Sequence, residues 1–191
     1  MNKVEIRKQV KELFLENHEN LEKQNDTIVQ KIIESQEYKN ASVVLAYMAL
    51  PDELNLKQII KSCIQNNKKT AVPCVISEQQ GIMQFCFLEA DKKGNIKTKK
   101  GSFGIEEPVI NKQNIVDLES LKKENILFLV PGRAFTKEGY RLGRGKGFYD
   151  RFLTQAQTMK NVCIAGVCFS FQIFDELPVQ EHDIQMNKVF Y

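Results

Sequence analysis

Apolar residues in the first 35 positions recur at helical spacing: Ile6, Val10, Leu13 and Phe14, then, after a polar break around Asn25 and Asp26, Ile28, Ile32 and Ile33. This period predicts two amphipathic helices, the second capped by Asn25 or Asp26, whose short side chains can accept from free first-turn N–H groups. The pattern then changes. Ser42 to Met48 (SVVLAYM) is a continuous β-branched and apolar run, as a strand buried on both faces requires. A turn at Leu50-Pro51-Asp52-Glu53 follows, then an amphipathic helix over Leu56 to Asn66, built on Ile59, Ile60, Cys63 and Ile64, then strands over Thr70 to Ile76 and Met83 to Leu88. Asp91 to Asn114 carries glycines 94, 101 and 104, Pro108 and lysines 92, 93, 97, 99 and 100, and reads as an irregular, solvated surface excursion. Apolar order returns with a buried strand at Asn125 to Val130, a helix from Phe148 to Met159 and a strand from Val162 to Cys168.

Strands alternating with amphipathic helices predict an α/β fold, a three-layer α/β/α sandwich with a largely parallel, mixed sheet of Rossmann-like type. At 191 residues and 42% apolar composition the chain fills one core, so a single domain over 1–191 is expected. No apolar stretch approaches the roughly 18 to 20 residues of a membrane span, and MNKVEIRKQV has no apolar signal core, so a soluble, cytoplasmic protein without a membrane partner is expected. The five cysteines (63, 74, 86, 163 and 168) form no Cys-x-x-Cys pair and mostly sit in apolar runs, which makes them small core hydrophobes. With only His18 and His182 beside them, a zinc site is not expected.

Charge becomes informative once located. The net charge is +3, yet Arg133 to Arg151 alone carries an excess of four positive charges, so the remainder is slightly negative. The excess marks one loop instead of a broad nucleic-acid-binding face. In Arg141-Leu142-Gly143-Arg144-Gly145-Lys146-Gly147-Phe148-Tyr149-Asp150-Arg151, three glycines alternate with two cations. Glycine lets the backbone approach a ligand and expose its N–H groups, and an extended course would point Arg144 and Lys146 the same way. The following helix would add its N-terminal N–H groups to an anion site. Asp150 beside such a cluster suits Mg²⁺ bridging phosphate oxygens. The loop is neither a Walker motif, since Tyr140 and Gly147 occupy positions that need Gly and Ser or Thr, nor a Gly-x-Gly-x-x-Gly turn, since Asp150 ends it. A phosphate-binding site served by Mg²⁺ is the reading these residues support.

The run Pro131-Gly132-Arg133-Ala134-Phe135 with Gly139-Tyr140-Arg141 through Arg151 closely resembles the signature of the 5-formyltetrahydrofolate cyclo-ligase (methenyltetrahydrofolate synthetase) family. Lys3 and Arg7 resemble its N-terminal basic pair, Gly104-Ile105-Glu106-Glu107-Pro108 its Gly-Ile-x-Glu-Pro, and Glu181-His182-Asp183 its C-terminal acidic element. The resemblance implies conversion of 5-formyltetrahydrofolate to 5,10-methenyltetrahydrofolate with ATP and Mg²⁺ and release of ADP and phosphate. It implies nucleotide contacts from Lys3, Arg7, Arg141, Leu142, Gly143, Arg144, Gly145, Lys146, Gly147, Phe148 and Tyr149, with Arg144 and Lys146 catalytic. Folate contacts fall to Leu50, Asn55 and the stretch Arg144, Gly145, Lys146, Gly147 and Phe148, with Pro51 and Leu54 as further apolar wall; Asp150 and Asp183 would ligate Mg²⁺. His182 has no assigned role.

Three positions depart from the family pattern. Asn55 stands where a folate-contacting glutamate is usual, and Arg133 and Thr136 replace residues that are commonly apolar and acidic. The last two changes make the loop mouth more positive, which suits the glutamate tail of a folate, polyglutamylated forms included. A monomer acting on a small-molecule substrate, without nucleic acid, is expected. Two alternatives stay open: a cyclo-ligase-like protein that binds ATP, folate or RNA without turnover, and a ligase for another amide-like substrate, which Asn55 alone favours.

Overall fold

Asn2 starts the first helix. Its carboxamide oxygen accepts from the N–H groups of Val4 and Glu5 at 2.9 and 3.0 Å while the Glu5 side chain accepts from the Asn2 N–H at 2.8 Å, a reciprocal cap on α1 (Lys3–Glu16). In the computed structural model, which describes residues 1–77, 79–80, 82–89, 96–101, 106–180 and 183–191, α1 buries Ile6, Val10 and Phe14. The second helix, α2 (Leu21–Glu34), buries Ile28, Val29 and Ile32 but starts four residues before the first of its two predicted caps, Asn25. Asn25 and Asp26 therefore lie inside the helix and reach outward. The Asn25 side chain accepts from the Asn55 N–H at 2.6 Å and donates to the Asn55 carbonyl at 3.3 Å, and Asp26 accepts from Gln58 at 3.1 Å. Tertiary partners gave these polar residues a use that local capping could not.

A short helix, α3 (Gln36–Asn40), which the apolar pattern did not predict, leads to strand β1 (Val43–Leu45). Then come helix α4 (Lys57–Gln65) and strands β2 (Lys69–Ser77) and β3 (Ile82–Phe87). The predicted irregular excursion contains an antiparallel pair, β4 (Thr98–Lys100) with β5 (Glu106–Pro108), so cross-strand hydrogen bonding outweighs its charged, glycine-bearing composition. Gly104, Ile105, Glu181 and His182 of the recognised motifs, and glycine 94 and lysines 92 and 93, lie outside the described residues. Strand β6 (Ile126–Pro131), the hairpin β7 (Ala134–Phe135) and β8 (Arg141–Leu142), helix α5 (Phe148–Ala156), and strands β9 (Val162–Val167) and β10 (Lys188–Phe190) complete the order.

The central sheet runs β10-β9-β6-β1-β2-β3, parallel throughout except for β3, which is antiparallel to β2. Pro73, in β2, pairs with Phe85 of β3 but lies past the part of β2 that β1 reaches, so its missing N–H leaves the parallel ladder intact. Alternation divides the core. Val44, Ala46, Leu127 and Leu129 pack on one face against α1, α2 and α4; Val43, Leu45, Phe128 and Val130 pack on the other against α5. The three layers and the mixed, largely parallel sheet agree with the sequence expectation. Four of the cysteines are buried and Cys163 is half-buried, all as free thiols. No described helix is long and apolar enough to cross a membrane.

Candidate active site

The strand order changes direction between β1 and β6: the chain passes from β1 outward to β2 and β3, then crosses back to β6 and proceeds outward through β9 to β10. Loops leaving adjacent strand ends at such a point diverge and open a crevice. The loop after β1 carries Leu50 to Leu54, and the loop after β6 carries the hairpin and the glycine-rich segment.

Each loop is held from below. In the first, the Glu53 N–H donates to the Leu50 carbonyl at 3.0 Å, which makes the predicted turn, and the buried Tyr47 hydroxyl donates to the Leu54 carbonyl at 2.9 Å. In the second, the Arg133 N–H donates to the Leu142 carbonyl at 2.7 Å, and the buried Gln172 carboxamide donates to the carbonyls of Gly132 and Arg133, both at 3.0 Å. Arg7 of α1 donates through Nε to the Gly143 carbonyl at 3.0 Å, and Lys3 meets Asp183 at 3.4 Å. The two chain ends are thereby joined to one site.

Four charged side chains close the crevice. Arg144 donates through Nε to Glu53 Oε1 at 3.0 Å and through Nη2 to Asp52 Oδ1, and Arg133 donates to Asp52 Oδ2. Burial pushes the Asp52 carboxyl up, but Arg144 and Arg133 outweigh it and hold the group below the usual carboxylate range. Burial likewise disfavours the Arg144 cation, while Asp52 and Glu53 more than compensate. Arg141 pairs with Asp150, donates to the Pro131 carbonyl at 3.2 Å, and lies 5.6 Å from the Tyr149 ring centre. The Tyr149 hydroxyl is pushed far above its ordinary range by burial and by Glu53, so it stays neutral.

Two cavities result. The larger, about 790 Å³, has Leu50, Asn55, Tyr47, Met48 and Phe169 in its wall, a size that suits a ring-bearing small molecule. The smaller, about 80 Å³, is lined by the glycine-rich segment from Gly143 to Asp150 together with Arg141 and Pro131. Glu53 lines both. Gly145 has φ +91°, so the segment bends there and the expected extended course fails; a Cβ would also come within 3.2 Å of Arg7. Gly147, in the left-handed region at φ +69°, precedes α5 and offers no side-chain cap to its first turn, whose N–H groups therefore remain for an anion.

The predicted site residues thus separate into groups. Arg141, Gly143, Arg144, Gly145, Lys146, Gly147, Phe148, Tyr149 and Asp150 surround the small cavity, and Leu50 and Asn55 the large one. Leu142 lies in the core, 3% exposed, so its side chain is structural. Arg144 through Phe148, expected to face folate as well, line the smaller cavity. Asn55 Oδ1 accepts from the Lys57 N–H at 2.9 Å, filling the first turn of α4. Arg133 directs its charge to Asp52, and Thr136 is buried in its own turn, where its hydroxyl accepts from the Tyr140 N–H at 3.3 Å, so the pair does not form a positive mouth. Asp150 and Asp183 are each paired with a cation, and the described residues hold no group of three His, Cys, Asp or Glu side chains placed for a metal. The Asp150 and Asp183 oxygens are of the hard type that Mg²⁺ takes together with phosphate and water.

Asp52 and Glu53, seen in the sequence only as turn residues, are central. The rule that singled out the loop after Val130, a charged turn at the carboxyl end of a buried strand, applies equally to them.

The chain matches the model of the 5-formyltetrahydrofolate cyclo-ligase family over residues 1–191. It is 31% identical over 173 residues to the 5-formyltetrahydrofolate cyclo-ligase of Mus musculus, covering 88% of this chain and 82% of that one. It is 31% identical over 160 residues to that of Haemophilus influenzae, covering 84% and 81%. The NMR structure of Aquifex aeolicus 5,10-methenyltetrahydrofolate synthetase superposes with a TM-score of 0.77 at 27% identity, covering 100% of this chain and 89% of that one. A synthetase of the same name from Mycoplasma pneumoniae, at 21% identity and TM-score 0.66, covering 100% and 98%, shares the fold.

Proposed function

Because the chain belongs to the 5-formyltetrahydrofolate cyclo-ligase family, with the family model spanning residues 1–191, we propose that it converts 5-formyltetrahydrofolate to 5,10-methenyltetrahydrofolate at the expense of ATP. The observation that carries this reading is the pair of adjoining cavities. One is basic, glycine-rich and built for phosphate; the other is large enough for folate rings; Glu53 and Arg144 stand at their boundary.

The chemistry divides accordingly. The formyl oxygen is a poor leaving group until it accepts the terminal phosphoryl of ATP, with ADP as the first product. The folate N10 then attacks the formyl carbon, the C–O bond breaks, phosphate departs with the formyl oxygen, and N10 loses its proton as the ring closes. Arg144 supplies the planar, permanently charged group that stabilises charge on the transferring phosphoryl, and Lys146 adds a point charge. The α5 N-terminus and the backbone N–H groups around Gly145 and Gly147 bind the remaining phosphates. Lys3 and Arg7, carried by α1, extend the same basic surface. Mg²⁺, held by Asp150 and Asp183 with phosphate oxygens, would offset charge on the triphosphate. Leu50 and the apolar wall around it seat the folate rings.

Incubation with 5-formyltetrahydrofolate and MgATP should produce the ultraviolet absorbance of the methenyl product together with one ADP per turnover. Absence of both methenyl product and ADP would refute the assignment. ADP with a different amide-like substrate, and none with 5-formyltetrahydrofolate, would shift it to another ligase.

A further inference from the structure

Glu53 holds a different kind of donor with each of its two carboxylate oxygens. Oε1 accepts from Arg144 Nε at 3.0 Å, on the phosphate side, and Oε2 accepts from the Leu50 N–H at 3.0 Å, in the turn that walls the larger cleft. Its side chain is only 10% exposed, against 35% for Asp52, and it lines both cavities. Asp52 joins two arginines of the crevice, whereas Glu53 joins an arginine to the backbone of the folate-side turn.

We propose that Glu53 is a positioning residue that couples the two cavities, so that substrate seated against Leu50 orders Arg144 for the nucleotide. This rests on the cyclo-ligase reading above. A ligand against Leu50 fixes the turn from Leu50 to Glu53, and the carboxylate bridge carries that ordering to the guanidinium. The ordering cost is borne once, by whichever ligand arrives first, and the second binds more tightly. The effect is reciprocal by thermodynamic linkage.

Both partners of Glu53 are donors, which determines the test. A glutamine has one acceptor oxygen and an NH₂ group, so Glu53→Gln can satisfy Arg144 or Leu50 but not both. Glu53→Asp keeps the charge and shortens the reach by one methylene. A non-hydrolysable ATP analogue with Mg²⁺ and 5-formyltetrahydrofolate are titrated into the full chain by calorimetry, each alone and each with the other saturating. In the wild type each ligand should tighten the other on the order of tenfold. In both variants each ligand alone should still bind, the tightening should vanish, and kcat should fall more than either KM rises. Thermal unfolding identifies which variants remain folded; should Glu53→Gln fail to fold, Glu53→Asp carries the test. Retained coupling in a folded variant overturns the proposal, and so does a wild type that binds both ligands independently. A wild type that binds neither ligand removes the cyclo-ligase reading itself, a separate and recognisable outcome.

Discussion

Arg144 meets Glu53 and Asp52 through different edges of one guanidinium, Nε to the first and Nη2 to the second. A lysine keeps the charge but has neither the planar fork nor the second direction. Arg144→Lys should therefore lower kcat roughly 10²-fold, a typical loss for one group that stabilises transition-state charge, while circular dichroism shows the fold intact. Near-wild-type turnover would remove Arg144 from the chemistry. Asp52 makes a different prediction, because its folded carboxyl is held below the ordinary range by the two arginines despite burial. A depressed folded pKa contributes stability above the unfolded value of about 4, and that contribution is lost as pH falls through the folded value. Below about pH 4 the wild type should accordingly lose melting temperature more steeply than Asp52→Asn, with the two curves parallel near neutrality. Equal slopes in acid would mean that the ion pairs do not survive in solution.

Asn55 belongs to the scale of the element, since it serves helix α4 as much as the cleft. Leu56 occupies the N-cap position of α4 and cannot cap it, so Asn55 Oδ1 accepts from Lys57 at 2.9 Å, and the Asn55 backbone is bonded to Asn25 of α2. Asn55→Ala should cost about 1 kcal/mol, the usual worth of a side-chain cap, read from the urea midpoint at constant m. An unaltered midpoint would assign the side chain to ligand contact alone. The departure from the usual glutamate thus has a structural consequence in this chain: the amide keeps a short, neutral acceptor where a helix start needs one. Helix α1 works by the same logic at larger range. Its cap on Asn2 orients the first turn, from which Lys3 reaches Asp183 and Arg7 reaches Gly143.

Across the whole molecule the site rests on an aromatic cluster beneath the glycine-rich loop. Phe128, fully buried in the central β6, lies 5.1 Å from Phe85, 5.6 Å from Phe152 and 6.4 Å from Tyr149, ring centre to ring centre. Phe128→Ala should cost roughly 3–5 kcal/mol in chemical denaturation and, through Tyr149, weaken nucleotide binding as well. Loss of stability with unchanged ATP affinity would separate the loop from its foundation. The sequence by itself determined the layers, because buried parallel strands must be continuous apolar runs and their covering helices must carry one apolar face. It also singled out the glycine-rich loop that lines the smaller cavity, because glycine alternating with arginine and lysine is legible without a partner. Only the tertiary structure decided that Asn25 and Asp26 lie inside a helix, that β4 and β5 pair, and that β10 adds to the sheet edge. The same holds for the acidic half of the site. Asp52 and Glu53 look like ordinary turn residues until the switch in strand order brings the loop after β1 against the loop after β6. Arg144 and Glu53 are 91 positions apart in the chain, and no local pattern encodes a contact that arises from two strand ends diverging at one point.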